Sequence, residues 1–96
     1  MALTISNTTD NVNVFQAGFL TDKTYQYSLS VSEGALTLTI EGFDADSWVV
    51  ITPSADSTFY VPAVKDGPAG LKRVVRFTFT ETSGTKTTYI FSCQAV

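Results

Sequence analysis

The sequence predicts an all-β fold, an antiparallel sandwich of short strands, and two observations support this prediction. Apolar and polar residues alternate with a period of two along most of the chain, and no stretch repeats apolar residues at the spacing of a helix. The clearest alternation runs from Leu71 to Glu81, where Val75, Phe77 and Phe79 point to one side and polar residues to the other. Such alternation is typical of strands that bury one face.

Two short strands are predicted near the N-terminus, from Leu3 to Ile5 and from Val12 to Phe15, because apolar residues alternate there beside a polar turn. The stretch from Gly18 to Lys23 is expected to be a connector. The next two runs, Thr24 to Ser32 and Ala35 to Glu41, alternate in opposite parity. A two-residue turn between these runs predicts a hairpin in which their apolar faces coincide.

A second hairpin is predicted at the C-terminal end. Leu71 to Glu81 and Thr85 to Cys93 both alternate, and the three-residue loop between them would place Phe77 opposite Tyr89. Such a loop needs a residue in the left-handed conformation, and Gly84 is expected to supply it.

The middle of the chain contains two shorter strands. The segment from Ser47 to Thr52 follows a loop at Gly42 to Asp46, and its continuous apolar run predicts a strand buried on both faces or lying under a loop. Thr58 to Val61 is the next strand, and Pro62 to Gly70 is the longest irregular stretch. Seven to eight short strands with turns about every 8–12 residues are typical of an Ig-like sandwich. The predicted core consists of the inward-facing apolar residues: Tyr27, Leu29, Val31, Leu36, Leu38, Ile40, Trp48, Val50, Val75, Phe77, Phe79, Tyr89 and Phe91.

Composition indicates a single domain, residues 1–96, with a weakly charged surface. Of its 96 residues 44% are hydrophobic, which is enough for one core. Charged residues make up 16%, against roughly 25% in ordinary soluble domains, while Ser and Thr fill about a quarter of the positions. Such a surface has little charge to desolvate and little side-chain entropy to lose, so we expect it to be buried easily against a neighbouring protein.

Net charge and hydropathy argue against nucleic-acid and membrane partners. The net charge is −3, and the one basic cluster, Lys72, Arg73 and Arg76, is split between the two faces of a strand. No apolar run approaches the ~20 residues that span a membrane, and the N-terminus lacks the features of a secretory signal. If Met1 is the natural start, we expect the protein to stay on the cytoplasmic side or to leave by another route. A chain whose signal has been removed is the alternative.

The sequence lacks the residues that most catalytic sites need. It contains no His, no Gly-x-Ser-x-Gly turn and a single Cys, so we expect no enzyme, no zinc site and no cofactor. Asp44, Asp46 and Asp56 could offer oxygen ligands to Ca²⁺, but acidic loop residues are usually only solvated, and we expect no metal. Cys93 lies on the apolar face of the last strand and is expected to be buried.

Trp48 has two interpretations. A core position is favoured, because Trp48 opens an apolar run and a buried Trp on a central strand is common in Ig-like sandwiches. An exposed position would instead let its ring stack on a sugar, with Phe59 or Tyr60 as further members of an aromatic platform.

Trp48, Arg76 (or Arg73) and the C-terminal run Tyr89-Ile90-Phe91-Ser92-Cys93-Gln94 form a recognisable pattern. It consists of a Trp, an Arg that opens an alternating strand, and a final strand that ends in Gln. In this pattern the region from Ala45 to Val96 resembles the BACON family of Ig-like domains, which occur in surface proteins of gut bacteria and in their phages. The resemblance implies a sandwich and, as the alternative function, carbohydrate binding.

In size and composition the chain is also similar to the small Ig-like accessory proteins of tailed bacteriophages. This similarity implies a structural virion protein, either a capsid decoration or auxiliary protein or a tail accessory protein, made in the host cytoplasm and located on the virion. The expected partners are proteins, namely capsid or tail subunits or further copies of this chain, and a glycan under the alternative. The residues predicted to contact a partner lie in the N-terminal strands and near the Pro62 loop: Leu3, Ile5, Val12, Val14, Phe15, Val64, Lys65, Asp66 and Leu71.

Overall fold

Eight β-strands account for most of the described part of the chain. The structure is a computed structural model that describes residues 2–64 and 72–96. Within these two segments there is no helix that could cross a membrane. The strands are β1 (Ala2–Thr9), β2 (Val12–Leu20), β3 (Lys23–Glu33), β4 (Leu36–Asp44), β5 (Ser47–Val50), β6 (Thr58–Val61), β7 (Lys72–Glu81) and β8 (Thr87–Ala95).

The strands form two four-stranded sheets that pack face to face. Sheet A has the order β1-β8-β3-β6, and sheet B has the order β2-β7-β4-β5. Every pair of neighbouring strands is antiparallel. The prediction of an all-β antiparallel sandwich of seven to eight strands is therefore confirmed.

The strand order is that of a rolled-up hairpin. β4 pairs with β5, β3 with β6, β2 with β7 and β1 with β8, so the chain is a long two-stranded ribbon whose tip is the β4–β5 turn. The ribbon is wrapped so that β3 also pairs with β8, and β4 with β7, which is a jelly-roll arrangement. In an Ig-like sandwich the first two strands are neighbours in one sheet, whereas β1 and β2 lie in different sheets here. Strand number and turn spacing are similar in both arrangements, so the sequence pattern does not distinguish them.

Both predicted hairpins are wrong. β3 and β4 lie in different sheets, and so do β7 and β8. Phe77 pairs with Phe15 and Ile40 rather than with Tyr89. Residues of β7 and β8 meet across the core instead, as Phe77 and Phe91 do with ring centroids 5.0 Å apart. Two strands that face each other across a core alternate in the same way as two strands of a hairpin, so alternation is compatible with either.

The connections that replace these hairpins are arches from one sheet to the other. Gly34, with φ 79°, and Gly84, with φ 78°, take left-handed conformations in the two arches, as predicted for Gly84. The arches are hydrogen-bonded to each other, because the Thr82 N–H and the Thr87 hydroxyl donate to the Ala35 carbonyl at 3.0 and 3.2 Å. The left-handed conformation of Gly84 was therefore predicted correctly, while the length of the loop, 82–86 rather than 82–84, and the pairing of the strands that it joins were not.

Two stretches predicted as connector and loop are strand in the structure. β2 continues through Leu20, and Phe19 within it is fully buried. β4 likewise continues to Asp44, and Ala45, with φ 60°, starts the tight turn into β5. Both strands extend because the inward–outward alternation continues past the point where glycine interrupts the sequence pattern.

The core is a cluster of aromatic and aliphatic side chains between the sheets. Six predicted core residues are buried, Ile40, Val75, Phe77, Phe79, Tyr89 and Phe91, as is Cys93. Four others pack against the cluster while partly exposed, namely Tyr27, Leu29, Leu36 and Leu38. Val31, at one end of the sandwich, is 38% exposed. The prediction missed Phe19, Tyr25, Phe59 and Val61, which fill the opposite end.

Arg73 is a buried cation on the inner side of sheet B. Its Nε donates to the Phe43 carbonyl at 2.9 Å, and its Nη1 donates to the Pro62 carbonyl at 3.2 Å. A Cβ at Gly42 would lie only 2.8 Å from the guanidinium, so the absence of a side chain there makes room for it. Arg73 thereby ties the end of β4 to the segment that follows β6.

Candidate functional site

Trp48 and Val50 point away from the core, so their predicted core positions are wrong. β5 is a four-residue edge strand in which Trp48 pairs with Phe43 and Val50 pairs with Glu41. In β4 these two partners alternate with the buried Ile40, which places all four side chains on the outer face of sheet B. Val50 is 62% exposed. The continuous apolar run that includes β5 therefore does not indicate burial on both faces. The outer face of this short edge strand is not covered, so its outward-pointing apolar residues form an apolar surface.

The outer face of sheet B carries apolar side chains in rows across its strands. Val12 and Val14 extend this surface along β2, where they are 45% and 51% exposed. Polar threonines occupy the middle of the face farther from the β4–β5 turn. Three successive rows, starting nearest that turn, are Val74, Phe43 and Trp48, then Gln16, Arg76, Glu41 and Val50, then Val14, Thr78 and Thr39.

Trp48 is held by an aromatic and a cationic neighbour. The ring of Phe43 meets it edge-on, with centroids 5.1 Å apart and planes inclined by 61°. The guanidinium carbon of Arg76 lies 4.1 Å from the centroid of the Trp48 ring, which is a cation–π contact. Nη2 of Arg76 also donates to Oε1 of Glu41 at 2.8 Å. The Arg76 charge is thus balanced locally, and one face of the Trp48 ring is already covered.

A depression of about 250 Å³ opens beside these rings. It is lined by Gln16, Phe43, Trp48 and Val74. Small-molecule sites generally have volumes of roughly 300–1,000 Å³ and several convergent polar groups. This depression is smaller and offers one amide, so it is better suited to receive an apolar side chain from a partner.

The outer face of sheet A has a different chemistry. Its strands present mainly Ser, Thr and Gln, and several hydroxyls pair across strands. The Thr8 and Thr88 hydroxyl oxygens are 3.1 Å apart, and those of Ser28 and Ser92 are 2.9 Å apart. Among the described residues of this face, Ile90 is the exposed aliphatic side chain, at 51%.

The structure separates the predicted contact residues of the N-terminal strands. Ile5 is buried, and Leu3 and Phe15 pack against the core, so these three have little surface to offer a partner. Val12 and Val14 lie on the outer face of sheet B. Alternation within each strand causes this split, because successive side chains point to opposite faces.

The predicted contact residues beyond β6 are described only in part. Val64 is half-buried. Lys65, Asp66 and Leu71 lie outside the described residues.

Reactive chemistry is weakly represented in the described part of the chain. Residues 2–64 and 72–96 contain no cluster of three or more acidic or Cys side chains placed to hold a metal ion. Asp56 accepts hydrogen bonds from the hydroxyls of Ser54 and Thr58, which lower the pKa of its carboxyl group. Burial raises the pKa of the Cys93 thiol to about 11, which keeps the thiol protonated and unreactive at neutral pH.

The aromatic platform expected under the sugar-binding alternative is only partly present. Phe59 is buried in the core. Tyr60 is exposed on sheet A, and its hydroxyl donates to Oδ1 of Asp22 at 2.8 Å, which raises the pKa of Tyr60. Trp48 is on the surface of sheet B, and Arg76 covers one side of its ring.

Comparison with known proteins found no matching family model, no matching curated protein and no matching solved structure. The resemblance to BACON domains and the similarity to phage accessory proteins therefore remain predictions.

Sequence reasoning missed that Phe43, Val74 and Val50 form one surface with Trp48. A signal was available in β7, because Val74 is an apolar residue in an otherwise polar outward-facing set. Val12 and Val14 on β2 carry the same signal once Phe15 and Phe19 are recognised as the inward-facing set. Without the strand order, however, nothing in the sequence places these positions on one face.

Proposed function

We propose that this protein is a non-enzymatic structural subunit that binds a repeating protein surface, as a small capsid decoration or auxiliary protein, or a tail accessory protein, of a tailed bacteriophage. The single observation that carries the binding role is the apolar outer face of sheet B, centred on Trp48 and Phe43. The virion setting rests on the size, composition and family resemblance of the chain.

A protein partner is favoured by the kinds of residue on this face. Trp and Arg are the residues that most often dominate binding energy at protein interfaces, and Phe is enriched there. The cation–π contact and the Arg76–Glu41 ion pair hold Trp48 in place before binding, so less side-chain entropy is lost on association. The surrounding valines and threonines bring no charge that must be desolvated.

The test is sedimentation of the native protein in lysate of its source, followed with an antibody. Under the proposal the protein travels with megadalton particles and leaves them only under dissociating conditions. If it stays at the top of the gradient at about 10.4 kDa, or as a small oligomer, the proposal of a tightly bound virion subunit fails.

Carbohydrate binding is the second candidate, and the surface position of Trp48 favours it. The free side of the ring could stack on a sugar, with the Gln16 amide in the same depression to bond a hydroxyl group. A glycan array of the wild-type protein and of Trp48→Ala tests this candidate. Binding that is lost in a folded Trp48→Ala variant would support it, and an empty array would reject it.

A further inference from the structure

The two open sides of the sandwich differ in the length of their edge strands. One side is bordered by β1 and β2, with eight and nine residues, and the other by β5 and β6, with four residues each. Neither β1 nor β2 contains Lys, Arg, Asp, Glu or Pro. Long edges are normally protected from pairing by such residues, by bulges or by shortness. The register of β2 with β7 runs from Val12 to Leu20 without a shift, so β2 has no bulge.

The hydrogen-bonding pattern shows which groups of β2 are free. The Glu81 N–H donates to the Asn11 carbonyl at 2.8 Å, which makes Asn11 and Glu81 a hydrogen-bonded antiparallel pair. Because such pairs recur at every second residue, the backbone of the odd-numbered residues 13–19 bonds to β7. The backbone N–H and C=O groups that do not bond to β7 belong to the even-numbered residues: Val12, Val14, Gln16, Gly18 and Leu20. The Leu20 carbonyl, at the end of the strand, instead accepts a hydrogen bond from the Tyr25 hydroxyl at 2.9 Å, so among the described residues the other four keep both groups free for pairing.

These five residues are complementary to a second copy of themselves. With Gln16 opposite Gln16 of the other copy, an antiparallel pairing sets Val14 opposite Gly18 and Val12 opposite Leu20. Within the described residues, Val14, Gln16 and Gly18 each present a free N–H and C=O to a residue that does the same. At the two ends of the register Val12 meets Leu20, whose carbonyl already accepts a hydrogen bond from the Tyr25 hydroxyl. Val12 and Leu20, 45% and 38% exposed, would cover each other, and none of the five paired residues is charged.

We propose that the occupant of the β2 edge is a second copy of this chain, paired antiparallel through β2 about a two-fold axis at Gln16. The result is a continuous eight-stranded sheet made of two copies of sheet B. This inference rests on the strand edge and does not depend on the proposed virion function. It adds to that function, because the two outer faces of sheet B become one continuous surface.

The β1 edge is a weaker candidate for the same role. The Val96 N–H donates to the Thr24 carbonyl at 3.0 Å, and the resulting pattern leaves the backbones of Thr4, Ser6 and Thr8 facing the open edge. Their side chains are small and polar, so pairing there would cover little apolar surface. Ser6 therefore provides a control edge.

The experiment measures the molar mass of the full chain by light scattering after size-exclusion chromatography. The wild-type protein is expected at twice its monomer mass of 10.4 kDa. Gln16→Lys and Gln16→Glu, each alone, place like charges directly opposite each other at the two-fold axis and should be monomeric. An equimolar mixture of the two variants places opposite charges there and should restore the dimer.

Two controls fix the location of the contact. Thr78→Lys adds the same charge to the same face one strand further in, and Ser6→Lys adds it to the β1 edge; both should remain dimeric. A monomeric wild-type protein, a dimeric Gln16→Lys variant, or monomers in the mixture would each overturn the proposal. The proposal would also be overturned if Ser6→Lys were monomeric while Gln16→Lys remained dimeric, because the contact would then lie at β1.

Discussion

The outer faces of the two sheets have the same architecture and opposite surface chemistry. On sheet A, neighbouring hydroxyls such as those of Ser28 and Ser92 bond each other. On sheet B, the equivalent positions carry Val74, Phe43 and Trp48, with one balanced ion pair between Arg76 and Glu41. The core lies between the inner faces of the two sheets, so the fold does not require their outer faces to differ.

The difference shows where free energy of association is available. Buried apolar area contributes roughly 25 cal/mol per Å², whereas hydroxyls that already bond each other and water gain little from a new partner. Under the proposed function, the outer face of sheet B is therefore expected to contribute more to the stability of a complex than the outer face of sheet A.

The largest difference in the free energy of unfolding is expected between the same substitution, Phe to Ala, on the inner and on the outer face of sheet B. Phe77→Ala removes a fully buried ring and should lower the free energy of unfolding by ~3–5 kcal/mol, as core Phe residues do. Phe43→Ala, on the outer face, should cost less than ~1.5 kcal/mol. Urea denaturation measures both, and equal losses would show that the outer face is part of the folding core.

The free energy of unfolding should depend on pH through Cys93, which lies on the inner face of sheet A. The Cys93 thiol ionises near pH 9 when unfolded, but burial raises its pKa to about 11 in the folded protein. Between these values only the unfolded state loses the proton, so the free energy of unfolding falls as pH rises, by on the order of 2 kcal/mol. Tyr25 and Tyr89 also have raised pKa values, so the measured quantity is the difference between wild-type and Cys93→Ala.

The same thiol gives an independent check of burial. In the native protein at pH 8, Cys93 should not react with an aromatic disulfide reagent until the protein is unfolded. Rapid reaction under native conditions, or identical pH dependence in Cys93→Ala, would contradict the buried position.

Trp48→Ala tests the outer position of the residue at the centre of the apolar face of sheet B. The substitution removes one cation–π contact and one edge-on ring contact, each worth about 0.5–1.5 kcal/mol, and creates no core cavity. We expect a folded protein that is ~1–2 kcal/mol less stable by urea denaturation. A loss of ~3–5 kcal/mol would show that Trp48 is part of the core.

The smallest effect should come from the hydroxyl pairs of sheet A. Ser28→Ala breaks the bond to Ser92, but both groups are accessible to water, so the free energy of unfolding should change by less than ~0.5 kcal/mol. A loss above ~1.5 kcal/mol would mean that this face contributes to the fold as the inner faces do.

The period-two pattern was sufficient to predict the strands and much of the core, because burial of one face is a local property of each strand. Phe77, Phe79, Tyr89 and Phe91 were assigned correctly for this reason. Strand pairing is not local: the alternation around Gly84 is the same for a hairpin and for an arch, and here it belongs to an arch.

The candidate site could not be predicted from the sequence for a related reason. Trp48 lies in an apolar run, and apolar runs usually indicate burial on both faces. Only the strand order reveals that β5 is an edge strand of four residues, and that Trp48 shares an outer face with Val74 and Arg76. The chemistry of single residues was predictable, but their grouping into one surface was not.

The central claim, that the outer face of sheet B is the docking surface, is tested most directly by a matched pair of variants. Val74→Glu on β7 and Ile90→Glu on β8 each place a carboxylate on an exposed β-branched position of a central strand, one on each outer face. Both purified variants are added to the high-mass particles that bind the wild-type protein, and the fraction that co-sediments is measured. We expect Ile90→Glu to sediment with the particles as the wild-type protein does, and Val74→Glu to lose at least tenfold in affinity, about 1.4 kcal/mol. Retention of Val74→Glu together with loss of Ile90→Glu would contradict the account.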